Sequence, residues 1–178
     1  MDYGRYGLAD DDSYILVCRT RVGQNQALSL AADLCRFFEG FSSQPYICPA
    51  GYPTIGYGTV YKPDGTKVTM QDEPISRELA NEWLMRELQH NYMAGVLKAS
   101  PILITNQRLL AAITDFAYNL GVGRYRASTL KRRVDANDLL GIETELTKWN
   151  KGGGKVLPGL VKRRQAEIDL IRSGTFNR

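Results

Sequence analysis

The sequence predicts an α+β fold in which a small sheet is confined to one lobe of a mostly helical protein. Three features support this prediction: a helical period near the start, one cluster of strand and turn signals after it, and further helical periods to the end. A chain of 178 residues is long enough to bury the core of one domain. We expect a single bilobed domain over residues 26–178 and an N-terminal extension of uncertain role over residues 1–25.

The composition excludes several classes of protein. Apolar residues make up 43% of the chain and charged residues 24%, as in ordinary soluble domains. No apolar run reaches the roughly 18 residues that span a bilayer, so we expect no stable membrane insertion. The first residues lack the features of a secretory signal, which predicts synthesis and folding in the cytoplasm. Three cysteines without C-x-x-C spacing and a single histidine argue against a zinc site. The family resemblance described below implies no metal and no cofactor.

The net charge of +4 is unevenly distributed. Residues 121–178 contain 13 Lys and Arg against 6 Asp and Glu, whereas the first 120 residues contain 10 against 13. A basic C-terminal third can attract a polyanion, either nucleic acid or an anionic cell wall. It can equally form ordinary solvated helix faces, and charge alone does not decide between these interpretations.

The first clear element is a helix over residues 26–38. Residues 1–25 show no clear period, and the apolar run at residues 14–18 is compatible with a short strand or an apolar anchor. In residues 26–38 the apolar side chains share one face, so Cys35 is predicted to be a buried thiol. Glu39 and Gly40 end this helix, and Gly40 can take the left-handed conformation of a helix C-cap.

Strand and turn signals concentrate in residues 54–70. Residues 62–65 read Lys-Pro-Asp-Gly, a strong turn signal, between strand-like segments at residues 54–61 and 66–69. This pattern predicts a β-hairpin. Gly56 and Gly58 within the first segment predict either close approach of a ligand to the backbone or a twisted or bulged strand.

Helical patterns occupy the rest of the chain. Ser76 is the predicted N-cap of a long helix that runs to about residue 96, and Thr105 is the predicted cap of a helix that stops at Gly121. Shorter segments follow, with helices beginning near Ser128 and Asn137, a Gly-rich loop at residues 151–155, and a last helix ending near Gly174.

Glu39 is the carboxylate best placed for acid chemistry. The negative end of a helix dipole destabilises the charged form of a carboxyl group there unless a cation is near. A carboxyl group that keeps its proton can act as a proton donor. Glycoside cleavage needs such an acid and a second group on the opposite face of the bond. Thr54 offers a hydroxyl that can position a water molecule. No other carboxylate occurs between Glu39 and Asp64, and Cys48 stands where a second acid would be expected.

Five segments in this order resemble the phage-type lysozyme family, the endolysins that hydrolyse peptidoglycan. The resemblance spans about residues 26–174 and leaves residues 1–25 unmatched. The segments are Glu39 with Cys48 and Thr54 leading into Thr-Ile-Gly-Tyr-Gly, Phe-Ala-Tyr-Asn-Leu-Gly at 116–121, Ser-Thr-Leu at 128–130, Trp-Asn-Lys at 149–151, and Leu-Pro-Gly-Leu-Val-Lys-Arg-Arg at 157–164.

The resemblance implies a lysozyme-like fold, with a hairpin lobe and a larger helical lobe joined by a long helix. It also implies an N-acetylmuramidase that cleaves the β-1,4 bond between N-acetylmuramic acid and N-acetylglucosamine and lyses the host cell. Within the implied catalytic set, Glu39 is the general acid, Thr54 orients the attacking water, and Cys48 replaces the usual Asp. The other implied site residues are Tyr57, Tyr118, Asn119 and Thr129 for saccharide binding and Arg163 as the partner of Glu39.

Several of these assignments have structural alternatives. Tyr118 and Thr129 could serve core packing and helix capping, and Arg163 could be a plain surface cation. A cysteine with an ordinary pKa near ~8.5 is mostly a thiol at neutral pH and a weak base. Either the pKa of Cys48 is lowered locally, or Thr54 and Glu39 carry more of the reaction, or Cys48 only fills a small pocket.

The resemblance also implies the biological setting. The substrate is peptidoglycan, with no nucleic acid partner, and the protein acts as a monomer in the periplasm after synthesis in the host cytoplasm. Release then depends on a separately encoded membrane-hole-forming protein. The alternatives are a virion-associated or effector lysozyme, with residues 1–25 as a docking segment, or a catalytically inactive wall-binding module.

Overall fold

The computed structural model describes residues 11–177, with side chains from residue 21 onward. The helices are α1 Asp11–Glu39, α2 Arg77–Glu87, α3 Ala94–Ala99, α4 Gln107–Leu120, α5 Val122–Ala127, α6 Thr129–Asp135, α7 Leu139–Thr147 and α8 Pro158–Ser173. The strands are β1 Ser42–Ile47, β2 Pro53–Gly56, β3 Lys151–Gly152 and β4 Lys155–Val156. Two short sheets, β1–β2 and β3–β4, accompany the helices, so the α+β prediction is confirmed.

Helix α1 is longer than the sequence pattern predicted. Among the described residues it runs from Asp11 without a break through residue 25, the predicted end of a separate extension. The backbone of residues 14–18 is helical, so the strand interpretation is wrong: short apolar runs do not distinguish strand from helix. Side chains up to residue 20 and the whole of residues 1–10 lie outside the described part, so the anchor and docking interpretations stay predictions.

The main sheet forms earlier in the chain than predicted. Strands β1 and β2 pair antiparallel, with Tyr46 opposite Thr54. The sequence pattern did not reveal β1 because Pro45 lies within it and its neighbours are polar, which is tolerated on a solvent-facing edge strand. The predicted first strand over residues 54–61 is therefore wrong beyond Gly56, where β2 ends.

Two glycines end β2. Gly56 and Gly58 have φ angles of +67° and +95°, in the region that favours glycine. The chain reverses between them, and Ile55 and Thr59 exchange backbone hydrogen bonds of 3.0 and 2.9 Å. The predicted turn at residues 62–65 does form, but a single isolated bridge at residues 61 and 67 replaces the predicted hairpin there.

A long helical segment joins the two lobes. It consists of α2, a π-helical turn over Leu88–Met93, and α3. Ser76 caps its start by accepting a hydrogen bond from the backbone N–H of Leu79, as predicted. The predicted cap at Thr105 is wrong: Thr105 ends a 3₁₀ turn, and the Asn106 side chain accepts from the N–H of Leu109.

Helix α4 lies at the centre of the helical lobe, against α1 and α8. Each residue from position 109 to position 117 is buried, which includes the carboxylate of Asp115. Cys35 on α1 is 0% exposed, so its prediction as a core thiol is confirmed. No helix within residues 11–177 is long and apolar enough to cross a bilayer.

Candidate active site

Glu39 is the last residue of α1 and lies in the wall of a cleft. Gly40 takes a left-handed φ of +69°, which ends the helix and turns the chain toward β1, as predicted. The Glu39 side chain is 27% exposed. A Cβ atom on Gly58 would lie 3.8 Å from Glu39 Oε2 and 3.4 Å from the Tyr118 hydroxyl. The glycine therefore lets the chain after β2 pass close to the carboxylate without covering it.

Arg163 connects Glu39 to the core. Its Nη1 donates to Glu39 Oε1 at 2.5 Å, while Nε and Nη2 donate to the two Asp115 oxygens at 2.9 and 2.8 Å. Such a two-point contact fixes the plane of the guanidinium group. The Arg163 side chain is only 5% exposed, which excludes a plain surface cation. The structure thus supplies the cation that a carboxylate at a helix C-terminus requires.

Asp115 is the buried anchor of this arrangement. Burial alone would raise the pKa of Asp115, but the charge and hydrogen bonds of Arg163 hold it below its ordinary value. The Cys35 thiol donates to Asp115 Oδ1 at 3.2 Å, and burial raises the pKa of Cys35 well above its ordinary value. Asp115 is therefore ionised beside a neutral thiol. Asp115 was not among the predicted site residues, although a carboxylate inside an otherwise apolar helix was a usable signal.

A second buried pair lies beside the first. Arg164 Nη2 lies 2.6 Å from Glu167 Oε1, and neither Glu167 oxygen has a hydrogen-bond partner among the described residues. Burial raises the pKa of Glu167 well above its ordinary value. The positive charge of Arg164 lowers this pKa, and the negative charge of Asp115 raises it further. Burial therefore favours the neutral, protonated form of Glu167 in the folded protein.

Replacing this acid should change how stability depends on pH. A raised folded-state pKa means that the unfolded chain releases the Glu167 proton near pH ~4.3 while the folded chain keeps it. The free energy of unfolding then falls by up to about 1.4 kcal/mol per pH unit above that point. Glu167→Gln cannot ionise, so this contribution should disappear and the variant should gain stability relative to wild type between pH 5 and pH 7.

Urea unfolding at several pH values measures this slope. Glu82→Gln, at an exposed position on α2, is the control and should keep the wild-type slope. An unchanged slope in Glu167→Gln would show that Glu167 is ionised in the folded protein.

Cys48 and Thr54 form a pair on the β1–β2 sheet. Cys48 is half-buried in the loop between the strands, and Thr54 is 2% exposed. A hydrogen bond from the Thr54 hydroxyl, and then one from the Tyr52 backbone, lower the pKa of Cys48. The same hydroxyl lies 3.0 Å from the Tyr52 carbonyl oxygen, and since it has one proton it can donate to only one of them at a time. Thr54 therefore favours the thiolate form of Cys48 only when its hydroxyl turns from Tyr52 to the sulfur.

Tyr46 links this pair to Glu39. The pKa of Tyr46 is raised by burial, then by the negative charge of Glu39 and that of Cys48, so the phenol lies near both. Tyr46 is the cross-strand partner of Thr54. Cys48 and Thr54 are not among the residues that line the cleft at Glu39, so their place in one catalytic set with Glu39 stays a prediction. The sequence analysis missed Tyr46, since an aromatic residue in a polar strand carries no distinctive signal.

The cleft at Glu39 has a volume of about 300 Å³. Two of the predicted saccharide-binding residues, Tyr118 and Asn119, line it. Tyr57 does not fit its predicted role: its side chain is 3% exposed within the core, and its carbonyl oxygen accepts from the Tyr118 hydroxyl at 2.7 Å. Thr129 is not among the lining residues; it begins α6 and accepts from Arg132 at 2.8 Å. Its role in saccharide binding stays a prediction.

The cleft contains a second carboxylate that the sequence analysis missed. Glu87, at the end of α2, lines the cleft and accepts a hydrogen bond of 3.3 Å from the Tyr92 hydroxyl. Burial raises the pKa of Glu87. The Tyr92 ring packs edge-on against Tyr118 with centroids 5.0 Å apart. No local pattern separates Glu87 from the other charged residues of its helix.

The chain is similar to known proteins over most of its length. The model of the family described as phage lysozyme matches residues 36–167. An endolysin of Bacillus phage B103 is 38% identical over 144 residues, which cover 80% of this chain and 52% of the relative. An endolysin of Acyrthosiphon pisum secondary endosymbiont phage 1 is 31% identical and covers 79% of this chain and 93% of the relative.

A solved structure shows the same architecture. The endolysin from Escherichia coli O157:H7 phage FAHEc1 superposes with a TM-score of 0.75 at 31% identity, covering 84% of this chain and 94% of that one. The lysozyme-like fold prediction is confirmed, including two lobes joined by a long helix. This chain spans only about half the length of the Bacillus phage relative, 52%.

Proposed function

Because this chain belongs to the phage lysozyme family, we propose that it is an endolysin that cleaves the β-1,4 bond between N-acetylmuramic acid and N-acetylglucosamine. One observation carries the proposal: a carboxylate in the cleft wall, Glu39, is held by an arginine that the buried Asp115 orients. General acid catalysis needs a proton donor in such a defined position.

Glu39 acts as the general acid. Its side chain is 27% exposed, and Oε1 faces Arg163. We assign the proton transfer to Oε2, which lies on the side of Gly58 in the cleft. Once the proton has left, the positive charge of Arg163 stabilises the carboxylate that remains. The position of Arg163 is fixed because two of its nitrogens donate hydrogen bonds to the two Asp115 oxygens.

Thr54 and Cys48 act together on water. The Thr54 hydroxyl positions the attacking water molecule, and the Cys48 thiolate, formed more easily because its pKa is lowered, accepts its proton or stabilises the positive charge of the sugar. Tyr118 and Asn119 contribute the helical-lobe side of the cleft that contacts the saccharide. The basic C-terminal third favours encounter with an anionic wall polymer.

The role of Cys48 gives a direct prediction. Cys48→Ala should lower kcat/KM for peptidoglycan about tenfold or more, because the thiolate is lost. Cys48→Asp should retain activity and should shift the rising limb of the pH–rate profile to lower pH, since a carboxylate ionises at lower pH than a thiol. Initial rates on sacculi between pH 4 and pH 9 measure both effects. Wild-type rates for the Ala variant would remove Cys48 from the catalytic set.

Release of soluble fragments from dye-labelled sacculi tests the function itself. The purified chain should release dye, whereas a catalytically inactive wall-binding module would sediment with the sacculi and release none. Removing residues 1–25, which include part of α1, would show whether that stretch is needed for lysis or for docking.

We further expect a monomer that depends on a separately encoded membrane-hole-forming protein to reach the periplasm.

A further inference from the structure

The β3–β4 hairpin and the start of α8 form an exposed edge of the helical lobe. Trp149 packs edge-on against Phe116 at a centroid distance of 5.3 Å, and the Leu157 N–H donates to the Asn150 carbonyl oxygen at 2.9 Å. The two ends of the hairpin are therefore fixed to the core and to each other. Every residue from position 153 to position 159 is exposed, so the tip of the hairpin projects into solvent. None of these exposed residues lines the cleft that contains the general acid.

Three apolar side chains on this edge face solvent. Val156 is 54% exposed, Leu157 42% and Val161 44%. Leu157 lies directly over Gly152, where a Cβ atom would come within 2.7 Å of Leu157 Cδ1. Val161 follows one helical turn later, since its N–H donates to the Leu157 carbonyl oxygen at 3.1 Å. Single exposed apolar residues need no explanation, but three neighbouring ones that no described part of the chain covers indicate an interaction surface.

The same edge is strongly cationic. Residues 146–166 contain six Lys and Arg and no Asp or Glu. Lys151, Lys155 and Lys162 are exposed and form no ion pair with any residue that the structure describes. Their charge is therefore available to an anionic partner.

The hairpin register places a lysine beside each apolar side chain of the tip. Lys151 lies opposite Val156 in the antiparallel pair, so these two side chains share one face. Lys155 and Leu157 are two residues apart on one extended segment, so they share the other face. Both faces of the tip thus present apolar surface together with positive charge.

We propose that this edge docks the protein reversibly on a membrane surface that contains anionic phospholipids. The apolar side chains become buried at the boundary between headgroups and acyl chains, while the lysine ammonium groups stay at the level of the phosphates. A soluble polyanion would engage the lysines but leave the apolar side chains in water. A second copy of this chain does not fit, because two copies of the same edge would bring like charges together.

Sedimentation with vesicles tests the charge requirement. The full chain should bind vesicles of equal parts phosphatidylglycerol and phosphatidylcholine, and should bind pure phosphatidylcholine vesicles at least about tenfold more weakly. The double variant Lys151→Gln, Lys155→Gln should lower the partition coefficient on anionic vesicles about 25-fold, since each lysine near such a surface contributes about fivefold. The control Lys98→Gln, Arg124→Gln removes the same charge from exposed positions on α3 and α5 and should lower it less than about threefold. No binding to the anionic vesicles, or equal losses in the two double variants, would overturn the proposal.

Fluorescence quenching tests the apolar requirement. On anionic vesicles the emission of Val156→Trp, after subtraction of the wild-type signal, should shift to shorter wavelength and be quenched by lipids brominated on their acyl chains. Leu140→Trp, at a 74% exposed position on α7, should show neither change. Val156→Ser should weaken vesicle binding about three- to tenfold without changing Tm, because apolar surface that enters the interface is lost.

Two results would contradict docking through the apolar side chains. Wild-type binding by Val156→Ser would show that the edge binds charge alone, as an anionic wall polymer would require. Equal quenching of Val156→Trp and Leu140→Trp, or quenching of neither on bound vesicles, would show that the hairpin tip does not enter the interface. Because the vesicles contain no peptidoglycan, both measurements are independent of whether the chain hydrolyses it.

Discussion

Glu39→Gln should reduce peptidoglycan hydrolysis about 10²- to 10⁴-fold, because the amide cannot donate the proton that general acid catalysis requires. The fold should persist, since the amide oxygen that this substitution introduces can still accept a hydrogen bond from Arg163 in place of Glu39 Oε1. Rates on dye-labelled sacculi, together with the thermal unfolding midpoint, measure the two effects separately.

A matched variant controls for the lost charge. Glu73→Gln removes an exposed carboxylate from the loop before α2 and should hydrolyse sacculi at the wild-type rate. Substantial lysis by folded Glu39→Gln protein would mean that the acid is elsewhere, with Glu87 as the remaining carboxylate of the cleft.

Arg163→Met should destabilise the protein by about 3–5 kcal/mol, because it leaves the ionised Asp115 buried without its partner. Asp115 is 0% exposed, so water cannot replace the lost hydrogen bonds. Denaturant unfolding measures the loss. The companion variant Arg172→Met breaks an ion pair whose arginine is 60% exposed and should cost less than about 1 kcal/mol.

The double variant Arg163→Met, Asp115→Leu tests whether the stability loss comes from the unpaired charge of Asp115. Replacing both members of a buried ion pair by apolar groups is often nearly neutral, so the double variant should be much more stable than Arg163→Met alone. Its hydrolysis should nevertheless stay low, because Glu39 has lost the cation that holds it. Strictly additive losses would show that Asp115 and Arg163 are not a coupled pair.

Several helix ends and the position of Glu39 could be predicted because their signals are local. Gly40 ends α1, Ser76 caps α2 and Gly121 ends α4, each through contacts within a few residues of the chain. The position of Glu39 at a helix end before a glycine follows from the same local rules. The predicted cap at Thr105 is one residue too early, because the side chain of Asn106 makes the capping hydrogen bond.

The long-range features could not be predicted from local patterns. Strand β1 depends on pairing with β2, and its own residues, including Pro45, do not favour a strand. Asp115 and Arg163 are 48 residues apart in sequence and meet only when α4 packs against α8. The burial of Tyr57 likewise depends on packing against Phe41, whose ring centroid lies 5.5 Å away. The family resemblance identified the pairing of Arg163 with Glu39, but not Asp115 behind it.

The chemical identity of the reducing ends released from purified sacculi tests the proposed reaction most directly. Digestion products are reduced with borohydride, hydrolysed and identified by mass spectrometry. Cleavage at the proposed bond predicts reduced muramic acid among the products of the wild-type protein and almost none from Glu39→Gln. Reduced glucosamine in its place, or new amino termini without new reducing ends, would contradict the proposed muramidase activity.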